Sequence, residues 1–525
     1  MSSKLHPLAA AFVAAFVVSF PLCAPARSPD PHSAIAWQVA SSGAEVDRAF
    51  ALARQTGKPV FLYWGAVWCP PCNQVKATLF SRPDFAERSK AFVPVYVDGD
   101  NPGAQKVAAR FHVSGYPTMV LFKPDGSEIT RLPGEVDPER YLLTLSAALN
   151  ADVPVKELVA RAVTHQPLSS EQWRLLGFYS WDTDDQQVFR KDELAARLSQ
   201  LAAAVPGELG SVKDRLALKA LSVRARDGTH RDEGRTVAAD TELVERVLAT
   251  PDAMRQQWDL MIYLADPATR YLAASAGARV ELARKWDISL DRLLASGVLS
   301  RSDSVDALDA RVSLWKIIDG SERLSASRQS AVRGLVLSIV SQTTDRYERQ
   351  AVVPSAADVL ASAGLLDESD QMLKAELPRA VAPYYHMLVL ASNAKKRGDK
   401  VAALSWYETA WRKSEGPATR IQWGAGFVRQ LIELTPQDSQ RIASTIRELI
   451  GSLEPLGETF FERNERSLQR MAAQLVKWQG TERSRAQIVA RAKEQLATTC
   501  GKVPPQEAGR ANCLAVFGSV AKTQS

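Results

Sequence analysis

The residues best suited to chemistry are two cysteines separated by two prolines, in Trp68-Cys69-Pro70-Pro71-Cys72. They follow an unbroken apolar run at 59–64, which reads as a strand covered on both faces, and they open a helix. Unpaired N–H groups and the helix dipole favour an anion at the position of Cys69. That raises its thiolate fraction, and the thiolate is the nucleophile. Cys72 lies three residues on, where it can resolve a mixed disulfide by attacking Cys69. Pro70 and Pro71 fit a first helical turn, whose N–H groups would be unpaired anyway. They also remove donors that could stabilise the thiolate, and no His lies between the cysteines. The expectation is a dithiol leaning toward reductant or isomerase. A potential near about −120 mV would contradict it. A lone CxxC also fits half of a zinc site or a structural disulfide. With no second CxxC and six scattered histidines, no metal and no organic cofactor is expected.

The elements that must hold this motif are legible around it. Residues 35–39 are a short apolar lead-in. Residues 43–55 carry Val46, Ala49, Phe50 and Ala53 on one helical face, and Gly57 ends that helix. A helix starts at Cys69, and 92–97 is a second buried strand ended by Asp98-Gly99-Asp100. Residues 104–111 are helical. Residues 118–122 and 128–132 are strands joined by the turn Pro124-Asp125-Gly126. Residues 137–149 close the unit as a helix with Pro138 in its first turn. The predicted order is β-α-β-α-β-α-β-β-α over residues 34–150.

Residues 155–495 carry almost no strand signal. Apolar residues recur at three- and four-residue spacing, with breakers at Pro206-Gly207, Asp319-Gly320 and Gly416-Pro417, so a large all-α domain is expected. Nine of the twelve tryptophans fall here and read as core packing. Gly398-Asp399, Ala403, Tyr407 and Ala410 have the spacing of a tetratricopeptide turn and second helix. Gly364, Ser369 and Leu373 repeat it thirty-four residues upstream, and Trp173-x-x-Leu176-Gly177 resembles the start of another unit. A generic set of helical hairpins explains the same pattern.

The stretch 34–150 resembles thioredoxin, and most of all the thioredoxin-like periplasmic domain of the transmembrane disulfide reductase family. The resemblance rests on Lys58-Pro59-Val60, the Trp68–Cys72 motif, Thr78-Leu79-Phe80-Ser81 before Pro83, Val113-Ser114-Gly115-Tyr116-Pro117-Thr118, and Gly134. It implies a cis Pro117 flanking the sulfurs. It also implies that the Tyr116 backbone pairs with an extended substrate segment, and that Trp68 shields the pair and lines the substrate groove. The match covers under a quarter of the chain. Two departures concern proton transfer. Tyr63 stands six residues before Cys69, where such proteins carry a buried Asp, and Val67 replaces an acidic residue. No general base for Cys72 is evident. Tyr116 is larger than many counterparts and is expected to narrow the groove.

The whole chain sets the compartment. Its 525 residues, 46% hydrophobic and 24% charged, imply more than one globular domain. The net charge of +6 comes without a dense basic run, so nucleic acid is not indicated. No P-loop or GxGxxG is present. Residues 1–26 read as a signal peptide: Lys4, then thirteen residues from Leu8 to Phe20 broken only by Ser19, then Pro21 and the cleavage site Ala24-Pro25-Ala26. Thirteen residues are too few to span a bilayer. Cys23 raises a lipidation alternative, against which bulky Leu22 speaks. A periplasmic mature chain starting at Arg27 would retain Cys69, Cys72, Cys500 and Cys513, an even number suited to two disulfides. Cys500 and Cys513 lie in a C-terminal segment, 496–525, and read as a structural pair or as a relay to the first.

Two functions follow from this reading. One is an exchange enzyme acting on protein disulfides, with Cys69 attacking, Cys72 resolving, and a recycling partner, membrane-bound by expectation. It requires Cys69 to be reachable by a polypeptide and Pro117 to lie close to it. The other is a helical interaction protein with an accessory thioredoxin-like module.

Overall fold

The computed structural model describes residues 34–518 apart from 102, 135–136 and 228–233. The signal peptide expected at 1–26, Cys23 included, lies outside the described residues.

Residues 38–149 form a five-stranded mixed sheet with helices on both faces. The strands are β1 (Gln38–Ala40), β2 (Val60–Gly65), β3 (Val93–Asp98), β4 (Thr118–Phe122) and β5 (Glu128–Leu132), in the order β1-β3-β2-β4-β5. β1, β3 and β2 run parallel, while β4 and β5 add antiparallel. Every residue of central β2 is buried, as its unbroken apolar sequence demands. Helix α1 (Gly43–Thr56) begins in a capping box between Ser42 and Glu45 and stops at Gly57, which adopts φ 68°. Helix α2 (Pro70–Val75) runs into a wider π turn at Lys76–Phe80. Where the sequence suggested one helix, a second, α3 (Pro83–Ser89), starts afresh. Pro83 has no N–H to continue the ladder and takes the first-turn position of the new helix instead. Helices α4 (Ala104–Arg110) and α5 (Pro138–Leu149) complete the unit. Asp137 caps α5 by accepting from the N–H groups of Glu139 and Arg140 at 2.9 and 3.1 Å.

From Val155 to Ala515 the described residues are helices and connections, with no strand. None of the helices is long and apolar enough to cross a membrane. The Gly398 and Gly364 positions sit in the turns of two helical hairpins. Ala403, Ala410, Ser369 and Leu373 are fully buried between helices. The last long helix, Arg483–Gly501, continues past residue 495 and carries Cys500 in its final turn. Cys513 lies on the short helix Ala508–Ala515. The two sulfurs are bonded, with Cα atoms 5.6 Å apart, in a buried cluster with Val503 and Val516.

The helical region does not trail from the sheet unit; it folds back over it. Arg131 on β5 is fully buried at the seam. It pairs with Glu128 at 2.9 Å and donates to the carbonyls of His112 and Phe111, and of Thr183 across the seam. The Arg131 carbonyl accepts from the Ser180 N–H at 3.0 Å. Lys106 on α4 meets Glu507, inside the Cys500–Cys513 loop, at 3.0 Å.

Candidate functional site: a dithiol under a helical cover

Strand β2 ends at Gly65, and the chain turns through Ala66–Trp68 into α2. Cys69 takes the N-cap position of α2 and Pro70 and Pro71 its first two positions, half-buried. With both prolines lacking N–H groups, Cys72 supplies the helix's first free donor. Its N–H points at the Cys69 sulfur, at 3.2 Å. Asn73, fully buried, fixes the turn by donating to the carbonyls of Val67 and Cys69, each at 2.8 Å. Cys69 and Cys72 are joined as a disulfide, Cα atoms 5.3 Å apart.

The Tyr116–Pro117 peptide bond is cis. The Tyr116 ring lies edge-on to Trp68 with centroids 5.9 Å apart. It packs against the cluster formed by Ala66, Trp68, Cys69 and Cys72. Pro117 faces Gly134, where an added Cβ would come within 2.8 Å of the proline ring. Gly99 makes room for the large tyrosine: a Cβ there would collide with the Tyr116 hydroxyl. Gln105 then donates both to that hydroxyl, at 3.0 Å, and to the Gly99 carbonyl, at 2.8 Å.

Tyr63 does not replace the missing acid as a base. Its hydroxyl donates to the Cys72 carbonyl at 3.5 Å, and burial pushes the phenol far above its ordinary range. Two aspartates at the end of β3, read from sequence only as a turn, are the acidic groups near the site. Burial raises both, Asp100 to about 6, while Lys76 partly offsets the rise at Asp98.

Cys69 is only 3% exposed and Cys72 is fully buried. In this oxidised form, Cys69 is therefore not open to an incoming polypeptide. The cover comes from the helical region, from residues whose sequence carried no signal of it. Gln350, on helix Arg346–Ser362, donates to the Trp68 carbonyl at 3.4 Å and accepts from the Ala382 N–H at 3.0 Å. Ala382 and Tyr384 are buried in the cysteine cluster. Tyr385 stacks on Trp68 at 5.9 Å with planes 13° apart, and Trp423 meets it edge-on at 6.0 Å. The Trp68 indole N–H donates to Thr419 Oγ1 at 2.8 Å and to Asp100 Oδ2 at 3.1 Å. Asp100 Oδ1 in turn accepts from the backbone N–H of Thr419 at 2.9 Å and from its hydroxyl. Asp100 thus caps helix Pro417–Leu434 from another part of the chain, where Gly416 offers no side chain of its own. A Cβ at Gly416 would strike Asp100 at 2.5 Å. Arg463 lies over the rings of Tyr116 and Trp68, at 4.8 and 5.6 Å. Below the motif, Gln74 on α2 donates to Asp303 of helix Arg301–Asp319 at 2.7 Å. Among the described residues no backbone hydrogen bond joins Tyr116 to this cover, so the edge expected to receive a substrate strand is not paired with it.

Of the nine tryptophans in the helical region, Trp173, Trp181, Trp258, Trp286, Trp315, Trp411 and Trp478 are buried in helical packing. Trp423 departs from that pattern by facing the dithiol. Cys500–Cys513 sits in a separate cluster from Cys69–Cys72.

A central strand feeding a CxxC disulfide at a helix start, with a cis Tyr116–Pro117 bond whose tyrosine packs against the motif, defines a thioredoxin-like domain equipped for thiol–disulfide exchange. A family model described as a thioredoxin-like domain matches residues 46–149. The thioredoxin of Mycolicibacterium smegmatis is 34% identical over 94 residues, covering 18% of this chain and 81% of that protein. Thiol:disulfide interchange protein DsbD 1 of Pseudomonas aeruginosa is 34% identical over 105 residues, 19% of this chain and 18% of the relative. DsbD of Klebsiella pneumoniae is 37% identical over 122 residues, 22% and 20% of the two chains. Through this part of its length, the chain belongs to the thioredoxin family. It spans only about a fifth of the DsbD relatives it matches.

Proposed function

We propose that this chain is an exported, periplasmic thiol–disulfide oxidoreductase that acts on protein disulfides, with Cys69 as nucleophile and Cys72 as resolving thiol. The observation that carries this reading is the seat of Cys69 at the N-cap of α2, its sulfur facing the Cys72 N–H. In the reduced form, the Cys69 thiolate attacks one sulfur of a substrate disulfide. A Cys69–substrate bond forms and the substrate S–S bond breaks, releasing one substrate thiolate. Cys72 then loses its proton, which the released substrate thiolate takes up directly or through water, and attacks the Cys69 sulfur. The Cys69–Cys72 bond forms and the second substrate thiolate leaves, so two electrons pass from dithiol to substrate. A partner dithiol, membrane-bound in this reading, returns the pair to its reduced state. No cofactor takes part.

Pro70 and Pro71 leave the Cys72 N–H as the nearest backbone donor to the nucleophile, where an ordinary helix start offers more. Fewer donors mean a less stabilised thiolate, which supports reduction or isomerisation over strong oxidation. Trp68, Tyr116 and cis Pro117 form the wall on which a substrate segment would be held, with the Tyr116 backbone edge available to it. Export is supported by the leader-like sequence of residues 1–26.

Insulin-disulfide reduction by the full chain tests the proposal. Cys69→Ser should abolish it, and Cys72→Ser should accumulate mixed disulfides whose partners mass spectrometry can identify. Unchanged turnover in Cys69→Ser would remove the enzyme reading. The burial of the dithiol under helices favours one second reading, that the helical region is the working part and the redox unit an accessory. Cys69→Ser decides this as well, since a scaffold keeps its biological role without the thiol.

A further inference from the structure

We infer that the face of the helical region formed by Gln350, residues 382–385, Thr419, Trp423 and Arg463 is a built recognition surface for the chain's own Trp68–Cys72 loop. It closes the dithiol to proteins until it is released. The inference rests on the oxidoreductase reading and adds its control.

Three features separate this contact from incidental packing. First, it is centred on the active-site loop. Trp68 is held at its carbonyl by Gln350, at its indole N–H by Thr419 and Asp100, on one face by Tyr385 and at an edge by Trp423. Second, it is polar and mutually satisfied where it touches the loop. Gln350 bridges the Trp68 carbonyl and the Ala382 N–H, holding residue 382 against the cysteines. Asp100 does the same for the start of helix Pro417–Leu434. Such bonds fix a docking register more than they add net stability, which suits a contact that must open. Third, among the described residues no backbone–backbone hydrogen bond joins Tyr116 to the cover, whose reach to this loop's backbone is a side-chain bond from Arg466 to the Ser114 carbonyl at 3.0 Å. The cover blocks the sulfurs with side chains without using the strand-pairing groups of Tyr116. A substrate segment could therefore engage that edge as the cover lifts.

An exchange enzyme needs a reachable sulfur, yet Cys69 is 3% exposed here. Opening along this surface reconciles the two facts and makes Gln350, Thr419 and Tyr385 the latch.

The test labels Cys69 in the reduced full chain carrying Cys72→Ser, with a small maleimide and with a maleimide on a 5-kilodalton polymer (about that size, chosen to exceed any local breathing). Gln350→Ala, Thr419→Val and Tyr385→Ala are compared with the parent, and circular dichroism confirms their folding. Removing one partner from a buried hydrogen-bond network should shift the closed–open balance by about tenfold. The bulky label should therefore react about tenfold faster in Gln350→Ala and Thr419→Val, and up to about tenfold faster in Tyr385→Ala, which loses its ring stack on Trp68, with a smaller gain for the small label. In the chain with Cys69 and Cys72 both present, the same substitutions should raise insulin reduction. Equal bulky-label rates in parent and all three variants would overturn the gate. Faster labelling without any Cys69-dependent insulin reduction would keep the gate and sink the oxidoreductase reading, so the two failures are distinct.

Discussion

Among the described residues two disulfides form, both out of solvent, in seats of different construction. Cys500–Cys513 lies inside one packed cluster of the helical region, among residues such as Phe460, Val503 and Val516. Cys69–Cys72 lies at a seam, with the β-sheet unit on one side and Ala382 and Tyr384 on the other. The first pair is covered by its own core, and the second by a surface that hydrogen bonds hold in register. Burial alone therefore does not tell a structural disulfide from a working one; what matters is whether the cover can separate without unfolding the core. The distinction can be probed by cutting at the seam and in the core in turn.

The largest effect is expected at the seam's buried charge. Arg131→Met strands Glu128 and leaves three carbonyls without their donor. Breaking such a pair should destabilise the fold by about 3–5 kcal/mol in denaturant unfolding. A loss below about 1 kcal/mol would show that Arg131 is not the anchor of the seam. Next comes the core seat. Replacing Cys500 and Cys513 together by serine should cost about 3 kcal/mol in the chain-entropy picture while leaving insulin reduction unchanged. Loss of turnover without loss of stability would make that pair a relay.

The third cut is made with pH. Burial raises Asp100 from 3.8 to about 6 where the cover docks. The docked state therefore favours the protonated acid. This contribution to stability is fully present below about pH 3.8 and is lost as pH rises through 6, by on the order of 3 kcal/mol at most. Asp100→Asn keeps an acceptor for Thr419 without the charge. Its melting temperature should exceed that of the parent at pH 7, and the gap should close toward pH 4. A constant gap would remove Asp100 from the pH response. The smallest effect belongs to the half-exposed Lys106–Glu507 pair. Lys106→Ala should cost under about 1 kcal/mol, and a larger loss would mean that the C-terminal loop carries much of the docking.

What was legible in the sequence follows the range of the forces involved. The apolar run before Cys69, the start of a helix at a double proline and the glycine after α1 are local signals, and they placed the sheet unit and the dithiol. Pro83 is a local signal of the same kind, a proline with no N–H to carry the preceding helix on. The cover was not legible, because Gln350 and Thr419 are ordinary polar residues on amphipathic helices, 282 and 351 positions from Trp68. Trp423 has the same helical setting as tryptophans that pack in cores. Asp100 looked like part of a turn, and only the fold brings Thr419 to it. The glycines at 99 and 416 were the one available hint, since each permits a contact whose partner no local pattern names.

The most direct measurement is equilibrium reduction of the intact chain across a graded series of dithiol buffers, each disulfide followed separately by alkylation and mass spectrometry. If Cys69–Cys72 is the exchange centre, it is reduced first, at a potential above about −300 mV, while Cys500–Cys513 stays oxidised. If Cys69–Cys72 resists reduction as strongly as Cys500–Cys513, or yields after it, the dithiol is a structural staple and the account fails.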